Sequence, residues 1–203
     1  MFITFEGVDG SGKSLQAKRI AKALGSTGKD IILTREPGGT IGAEELRTLV
    51  LNGETDRWSP MSELLIFTAA RRDHCERVIW PALERGAIVI CDRFVDSTRL
   101  YQGLASPEMR KAVDDIHQSA IGTEAELTLI FDIDPQKAFA RMNNRGETEM
   151  RFEGHGLEFQ NKRRAGFLEL SKSNPDRYHV INADQEIEKV TQDALKMIKA
   201  SLK

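Results

Sequence analysis

The segment from Gly7 to Ser14 follows a short apolar run and has the pattern of a phosphate-binding loop. Its glycines allow backbone N–H groups to curl around an anion, and the helix that follows adds its positive end. Lys13 is expected to reach the β- and γ-phosphates, and the Ser14 hydroxyl is placed for Mg²⁺. The chain is therefore predicted to bind a nucleoside triphosphate; a glycine-rich turn without a ligand is the alternative. The residues of this loop are Gly7, Val8, Asp9, Gly10, Ser11, Gly12, Lys13 and Ser14.

Two further groups of polar residues follow apolar runs. Arg35 begins a polar stretch after one run, and Asp92 and Arg93 directly follow another. Ligands of α/β sheets bind at the carboxyl ends of the strands, so Asp92 is expected near the phosphate loop, where it could hold Mg²⁺ directly or through water. Arg93 would offer a planar donor fork suited to a phosphate. The alternative is a structural ion pair between these two neighbours.

Phe67 and Arg71 are four residues apart in a predicted helix. They therefore share one helix face, where an aromatic ring beside a hydrogen-bond donor could hold a nucleobase. An aromatic residue at this spacing is more often part of the core, so the pair by itself is a weak signal.

The elements that must position these residues are predicted from hydrophobic patterning. Continuous apolar runs indicate strands that are covered on both faces, as in a parallel sheet with helices on each side. Strands are expected at 2–5, 31–34, 87–91, 127–133 and, more weakly, 178–181. Helices are expected at 13–24, 43–51, 60–84, 107–119, 135–144, 157–173 and 187–201. The sequence thus predicts a doubly wound α/β fold in which residues 1–203 form a single domain.

Composition narrows the possible partners and the cellular setting. The chain has 29 Lys and Arg against 31 Asp and Glu, a net charge of −2, so no overall field would attract nucleic acid. The sequence contains no eighteen-residue apolar run, and neither an N-terminal targeting segment nor contact with a membrane is expected. Cys75 and Cys91 lack metal-ligand spacing, and Cys91 is expected to be a reduced core residue. These features favour a cytoplasmic protein.

The segment at 143–156 differs from the rest of the chain because it is charged, contains several glycines and has almost no apolar anchor. It is predicted to be a mobile lid, and an ordinary solvated loop is the alternative. Arg145 and Arg151 lie within it.

Taken together, these motifs resemble the thymidylate kinase family. The resemblance covers almost the whole chain in order and at fitting spacings: the phosphate loop with Asp9, the stretch at 34–40, the Phe67 and Arg71 pair, the run at 92–103, and the tail at 134–170. It implies a three-layer P-loop kinase fold with a five-stranded parallel sheet, helices on both faces and a mobile lid. It also implies a homodimer that converts dTMP to dTDP by direct in-line transfer from ATP with Mg²⁺, a step in dTTP synthesis.

The resemblance further implies a role for each matching residue of the acceptor site. Phe67 would stack on thymine and Arg71 would donate to its carbonyl oxygen. Tyr101 would crowd the 2′ position of the sugar, Asp9 would accept from the 3′-OH, and Arg93 would clamp the acceptor phosphate. The implied dTMP-binding residues are Asp9, Arg35, Phe67, Arg71, Arg93, Thr98, Tyr101 and Gln102.

On the donor side, some family members carry a basic residue inside the phosphate loop and others supply it from the lid. Positions 8–11 contain none, so the chain resembles the bacterial kind, in which the catalytic arginine is in the lid. The implied catalytic residues are Asp9, Lys13, Arg93, Arg145 and Arg151; Arg141 would cover the adenine. The chain departs from the family pattern at Leu15, because family members commonly have a threonine there whose hydroxyl bonds the α-phosphate. Leucine cannot form this hydrogen bond, which is worth about 1.5–3 kcal/mol.

Two other functions remain alternatives on the sequence alone. A related kinase could act on another nucleotide or on a nucleoside hydroxyl, although a hydroxyl acceptor needs a positioned base whereas a phosphate acceptor needs Arg93. A nucleotide-operated switch would need a water-positioning residue and a partner surface, and the sequence shows no signal for either.

Overall fold

A five-stranded parallel sheet forms the centre of the computed structural model, which describes residues 1–54, 56–143 and 156–202. The strand order is β2-β3-β1-β4-β5, and every neighbouring pair is parallel. The strands are β1 Phe2–Glu6, β2 Ile31–Arg35, β3 Ile88–Asp92, β4 Leu127–Asp132 and β5 Tyr178–Asn182. All five predicted strands are confirmed, each to within one residue at its ends.

The helices pack on both faces of this sheet, which confirms the predicted three-layer α/β architecture. They are α1 Lys13–Gly25, α2 Ile41–Leu51, α3 Pro60–His74, α4 Trp80–Glu84, α5 Val95–Tyr101, α6 Pro107–Ala120, α7 Pro135–Asn143, α8 Gly156–Ser173 and α9 Ile187–Ser201. A π-helical turn, Cys75–Ile79, joins α3 to α4, so the predicted run at 60–84 is one continuous helical segment. The short helix α5 was not predicted.

Capping residues define several of the helix starts. The side chains of Thr40, Ser59 and Ser106 each accept a hydrogen bond from a backbone N–H in the first turn of α2, α3 and α6. Proline follows the cap in α3 and α6, where its missing N–H has no cost.

Two apolar clusters cover the two faces of the sheet. Because side chains alternate along a strand, Ile3 and Phe5 of β1 pack with α1 and α9 on one face, whereas Phe2 packs with α3 and α6 on the other. Cys75 and Cys91 are free and fully buried in the second cluster, which confirms the prediction that Cys91 is a reduced core residue. Within the described ranges, no helix combines the length and the apolar character that a membrane crossing requires.

The strand order determines where a ligand can bind. The strands that follow β1 in the chain, β2 and β3, lie on one side of it, whereas β4 and β5 lie on the other side. The direction in which strands are added therefore reverses at β1. Parallel α/β sheets bind ligands in the crevice at this reversal, beyond the carboxyl ends of the strands. The loop after Glu6 and the residues after Asp92 both lie at that edge.

Candidate active site

A cavity of about 790 Å³ opens at this edge of the sheet. Its walls come from the phosphate loop, the ends of β2 and β3, and the helices α3 and α5. Most of the predicted site residues line it: Asp9, Gly10, Lys13, Ser14, Arg35, Phe67, Arg71, Asp92, Arg93, Thr98, Tyr101 and Gln102. The structure thus brings together residues that are up to 93 positions apart in the chain, from Asp9 to Gln102.

The phosphate loop is shaped by glycines in conformations that other residues rarely adopt. Gly7, Gly10 and Gly12 have φ angles of 139°, 78° and 88°. A Cβ atom at Gly7 would lie 2.6 Å from the Phe131 carbonyl oxygen, so the loop must approach β4 closely. Lys13 is the first residue of α1, and its buried Nζ lies 3.3 Å from the carbonyl oxygen of Val8. The lysine is therefore already folded over the loop.

Arg93 lies opposite the loop and connects three side chains. Its Nη2 donates to the Asp9 carboxylate and to the Tyr101 hydroxyl at 3.1 Å, and its Nη1 donates to Ser97 Oγ at 2.7 Å. The Tyr101 hydroxyl in turn donates to Asp9 Oδ2 at 2.8 Å. The four side chains form a closed hydrogen-bonded group in which every charge has a partner.

The charges of this group support one another. Burial alone would raise the pKa of Asp9, but the positive charges of Arg93 and Lys13 outweigh burial and lower that pKa below its usual range. Burial would likewise lower the pKa of Arg93, but Tyr101 and Asp9 outweigh it, and the pKa rises. Arg93 and Asp9 are therefore both ionised at neutral pH.

Arg71 is held in the deeper part of the cavity by two hydrogen bonds. Its Nε donates to Glu36 Oε2 at 2.7 Å, and its Nη2 donates to Thr98 Oγ1 at 2.9 Å. The guanidinium carbon lies 5.1 Å from the centre of the Phe94 ring. Since Phe67 lines the same cavity from one turn earlier on α3, the structure confirms that the two residues share a face.

Beneath Arg71, three buried side chains bring one potential metal ligand each to within 4.8 Å of one another: Glu36, His74 and Cys91. Glu36 already accepts from Arg71 and contacts His74 Nδ1 at 3.1 Å. Burial raises the pKa of the Cys91 thiol well above its ordinary value, and a protonated thiol is a poor metal ligand. We therefore interpret the trio as a buried structural cluster that meets the cavity through Glu36.

Two predicted site residues, Arg35 and Arg141, lie away from the centre of the cavity. Arg35 lies at the mouth, where Nη2 donates to both carboxylate oxygens of Glu44 at 3.1 Å. Arg141 does not line the cavity; its Nη1 donates to the Ala183 carbonyl oxygen at 3.1 Å, just after β5. Arg145 and Arg151 lie outside the described residues.

Asp92 offers an oxygen that suits a cation. Its Oδ1 is buried and has no hydrogen-bond partner within the described part of the chain. A buried carboxylate oxygen without a donor is an atom that a bound cation would satisfy. Asp92 and Ser14 both line the cavity, so the residues present fit Mg²⁺.

The helix α5, and with it the contribution of Ser97, was missed from the sequence. Ser97 and Tyr101 lie four residues apart in this helix, a spacing typical of one helix face. The Gln102 side chain donates to Glu63 at 2.7 Å.

Arg163 was also missed. It is 1% exposed, and its guanidinium carbon lies 3.7 Å from the centre of the Tyr101 ring and 4.2 Å from that of Phe159. Nothing in its sequence context distinguishes it, because Lys162 and Arg164 make the segment resemble a solvated helix face.

Comparisons with known proteins agree with this geometry. A family model described as thymidylate kinase matches residues 5–194. The thymidylate kinase of Ruegeria pomeroyi is 50% identical over 98% of this chain and 94% of its own length, and that of Dinoroseobacter shibae is 53% identical over 95% and 93%. The crystal structure of thymidylate kinase from Ehrlichia chaffeensis, 35% identical, superposes with a TM-score of 0.80 and covers 98% of each chain.

Proposed function

The chain belongs to the thymidylate kinase family and phosphorylates dTMP to dTDP with ATP, a step in dTTP synthesis, and we propose how its residues divide that work. The observation that carries the proposal is one cavity lined by residues of the phosphate loop, by Arg93 and by the Phe67 and Arg71 pair. A coupled assay with dTMP, dUMP, UMP and thymidine tests it. Turnover of thymidine but not of dTMP would contradict a phosphate acceptor.

On the donor side, the loop amides and Lys13 hold the ATP phosphates. Lys13 is buried at the start of α1, where burial lowers its pKa, so the ammonium gains from a nearby phosphate the solvation that it has lost. Arg141, near the end of β5, would cover the adenine. Leu15 leaves the α-phosphate to backbone donors alone.

On the acceptor side, Phe67 stacks on thymine, and Arg71 donates to a base carbonyl from the position that Glu36 and Thr98 fix. Arg93 clamps the acceptor phosphate, with Arg35 in support at the mouth. Asp9 accepts from the 3′-OH and also orients Arg93. A clamp that is already bonded to Asp9, Ser97 and Tyr101 loses little further freedom when dTMP binds.

We expect Tyr101 to set the preference for deoxyribose. Its ring is held by Arg163, and its hydroxyl bonds Asp9 and Arg93, so it cannot easily move away from a 2′-OH. Tyr101→Ala should reduce the kcat/KM preference for dTMP over ribothymidine monophosphate by about tenfold or more. Tyr101→Phe, which keeps the ring, is the control and should retain the preference. An unchanged preference in Tyr101→Ala would refute this role.

Asp92 and Ser14 are proposed to hold Mg²⁺. When bound, the ion neutralises charge on the transferring phosphates. Asp92→Asn should raise the Mg²⁺ concentration that gives half-maximal rate by about tenfold, because it removes a charge from a ligand oxygen. The exposed Asp30→Asn is the control. A magnesium titration that is identical for the Asp92 variant and the parent would exclude the assignment.

We further propose that residues 1–203 form one kinase domain whose lid, 143–156, supplies Arg145 and Arg151 as catalytic residues. The adjoining described residue Met142 lines the cavity, and a Cβ atom at Gly10 would clash with the Ala138 carbonyl oxygen and lie 3.0 Å from Met142 Cγ. The described residues that lead into the proposed lid therefore end beside the phosphate loop.

The homodimer and the location in the cytoplasm are also proposals. Leu49, Met61 and Leu65 on α2 and α3 are 36%, 40% and 52% exposed, which suits a helical interface beside the nucleotide site. Light scattering should give twice the chain mass of 22.8 kDa, and a monomer mass would exclude the dimer. The two free, buried cysteines suit a reducing compartment, which cell fractionation would test.

A further inference from the structure

A fully buried carboxylate lies directly beneath the acceptor clamp. Glu6 is the last residue of β1, is 0% exposed, and immediately precedes the phosphate loop. Its Oε1 accepts from the Phe94 backbone N–H at 2.8 Å and from the Ser97 N–H at 3.3 Å, and its Oε2 accepts from the Ser97 hydroxyl at 2.6 Å. All three donors belong to Phe94 and Ser97, which follow Arg93 within four residues.

These bonds act on Arg93 through both its side chain and its backbone. The Ser97 hydroxyl that donates to Glu6 also accepts from Arg93 Nη1 at 2.7 Å, so the carboxylate fixes the orientation of the atom that the guanidinium contacts. The Arg93 backbone has a φ of 72°, a left-handed conformation that non-glycine residues keep only where neighbouring bonds enforce it. The Phe94 N–H bond to Glu6 lies one residue beyond that strained position.

We propose that Glu6 is a positioning residue of the phosphate-transfer site: through the Phe94 amide and the Ser97 hydroxyl, it holds the Arg93 guanidinium in the orientation that clamps the acceptor phosphate. The inference rests on the proposed role of Arg93. Glu6 itself is enclosed by protein and acts only through these neighbours.

The ionised carboxylate is the form that this role needs. Ionised Glu6 can accept all three hydrogen bonds, whereas the protonated acid turns one oxygen into a donor that competes with the Ser97 hydroxyl. Burial and the negative charge of Asp96 raise the pKa of Glu6 to about 7, against the opposing charge of Arg93 and the bonds from Ser97 and Phe94. Lys13 and Cys91 also lie within electrostatic reach of it. The clamp should therefore loosen as the pH falls through about 7.

Glu6→Gln is the main test because glutamine has the shape of the protonated acid. At about pH 8 we expect kcat with dTMP to fall by about 10²-fold, as for other small misplacements of a reacting group, while the dissociation constant for ATP stays within about twofold. The parent should lose kcat between about pH 8 and 6 beyond the loss due to the substrate phosphates, which titrate near 6 in any variant. The glutamine variant should lack that extra loss. The NMR shift of the Phe94 amide should titrate near pH 7 only in the parent.

A stability measurement separates positioning from folding. Because the folded-state pKa of Glu6 lies above its unfolded value of 4.5, the ionisation of Glu6 weakens folding as pH rises from about 4.5 to 7, and the weakening is complete above that range. Glu6→Gln removes this penalty, so its unfolding temperature at about pH 8 should equal or exceed that of the parent. Loss of kcat without loss of stability is the expected signature.

Control variants distinguish a failure of the Glu6 role from a failure of the Arg93 clamp. Glu126→Gln alters another glutamate that accepts a backbone N–H of β1, from Phe2 at 2.8 Å, and should leave kcat unchanged. Ser97→Ala should lower kcat in the same way and carries the test if Glu6→Gln fails to fold. If Arg93→Ala is inactive but Glu6→Gln has a normal kcat, the role of Glu6 is excluded while that of Arg93 stands. A normal kcat in Ser97→Ala leads to the same conclusion when Glu6→Gln does not fold. A fully active Arg93→Ala would overturn the clamp itself.

Discussion

Arg93→Ala is expected to lower the rate of dTDP formation by about 10³-fold or more while ATP binding is retained. Transfer brings the charges of two phosphates together, and we propose that Arg93, which lines the cavity and bonds Asp9 of the phosphate loop, offsets those charges. The variant also leaves the partly buried Asp9 without its strongest counter-charge, so the pKa of Asp9 should rise toward its ordinary value. Steady-state rates with dTMP measure the loss of turnover, and calorimetric titration measures whether ATP binding is retained.

Two matched variants sharpen this result. Arg93→Lys keeps the charge but not the planar fork that reaches Asp9, Ser97 and Tyr101 together, so only part of the rate should return. Arg85→Ala removes an exposed arginine that pairs with Asp30 and should be neutral. Near-normal turnover in Arg93→Ala would show that another group clamps the acceptor phosphate.

Single replacement of Arg145 and Arg151 by alanine is expected to cost roughly 10³-fold in kcat at whichever residue supplies the main transition-state charge, as for arginine fingers. Chain length allows Arg145 to lie close to the cavity, because it is three residues beyond the cavity-lining Met142, a span of at most about 11 Å. Arg151 is nine residues beyond Met142, a span of at most about 32 Å. Single-turnover rates measure the effect on transfer.

The pattern of losses decides whether the lid takes part in transfer. A large loss at one arginine, with a smaller loss at the other, supports catalysis from the lid, and an accompanying rise in ATP hydrolysis without dTMP would add exclusion of water to its role. The exposed Arg77→Ala provides the baseline for losing one surface arginine. Small and equal losses at both lid positions would contradict the proposal.

Local patterns were sufficient to predict most of the fold. The three central strands, β1, β3 and β4, are buried on both faces and are therefore largely apolar, and prolines and capping residues define the starts of α3 and α6. Helix α5 escaped because most of its buried residues are polar: Asp96, Ser97 and Thr98 face bonding partners instead of an apolar core. A hydrophobic pattern cannot report a helix whose buried face consists largely of hydrogen-bonding groups.

The site was predictable only in part, for a related reason. Residue types and strand ends located Asp92 and Arg93, but the bonds that orient the side chains join distant positions. Arg71 depends on Glu36, 35 residues earlier, and on Thr98, 27 residues later. Glu6 was visible as an acid at the end of an apolar strand, yet its significance appears only when Phe94 and Ser97 are seen to donate to it, 88 and 91 residues away.

The shared carboxylate of Asp9 has a consequence for how the two nucleotides are bound. Asp9 belongs by chain to the loop around the donor, and by its bonds to Arg93 and Tyr101 it belongs to the chamber of the acceptor. The two half-sites are thus not mechanically independent. We therefore expect a shift of this carboxylate when one nucleotide binds to alter the affinity for the other, and linkage makes such an effect reciprocal.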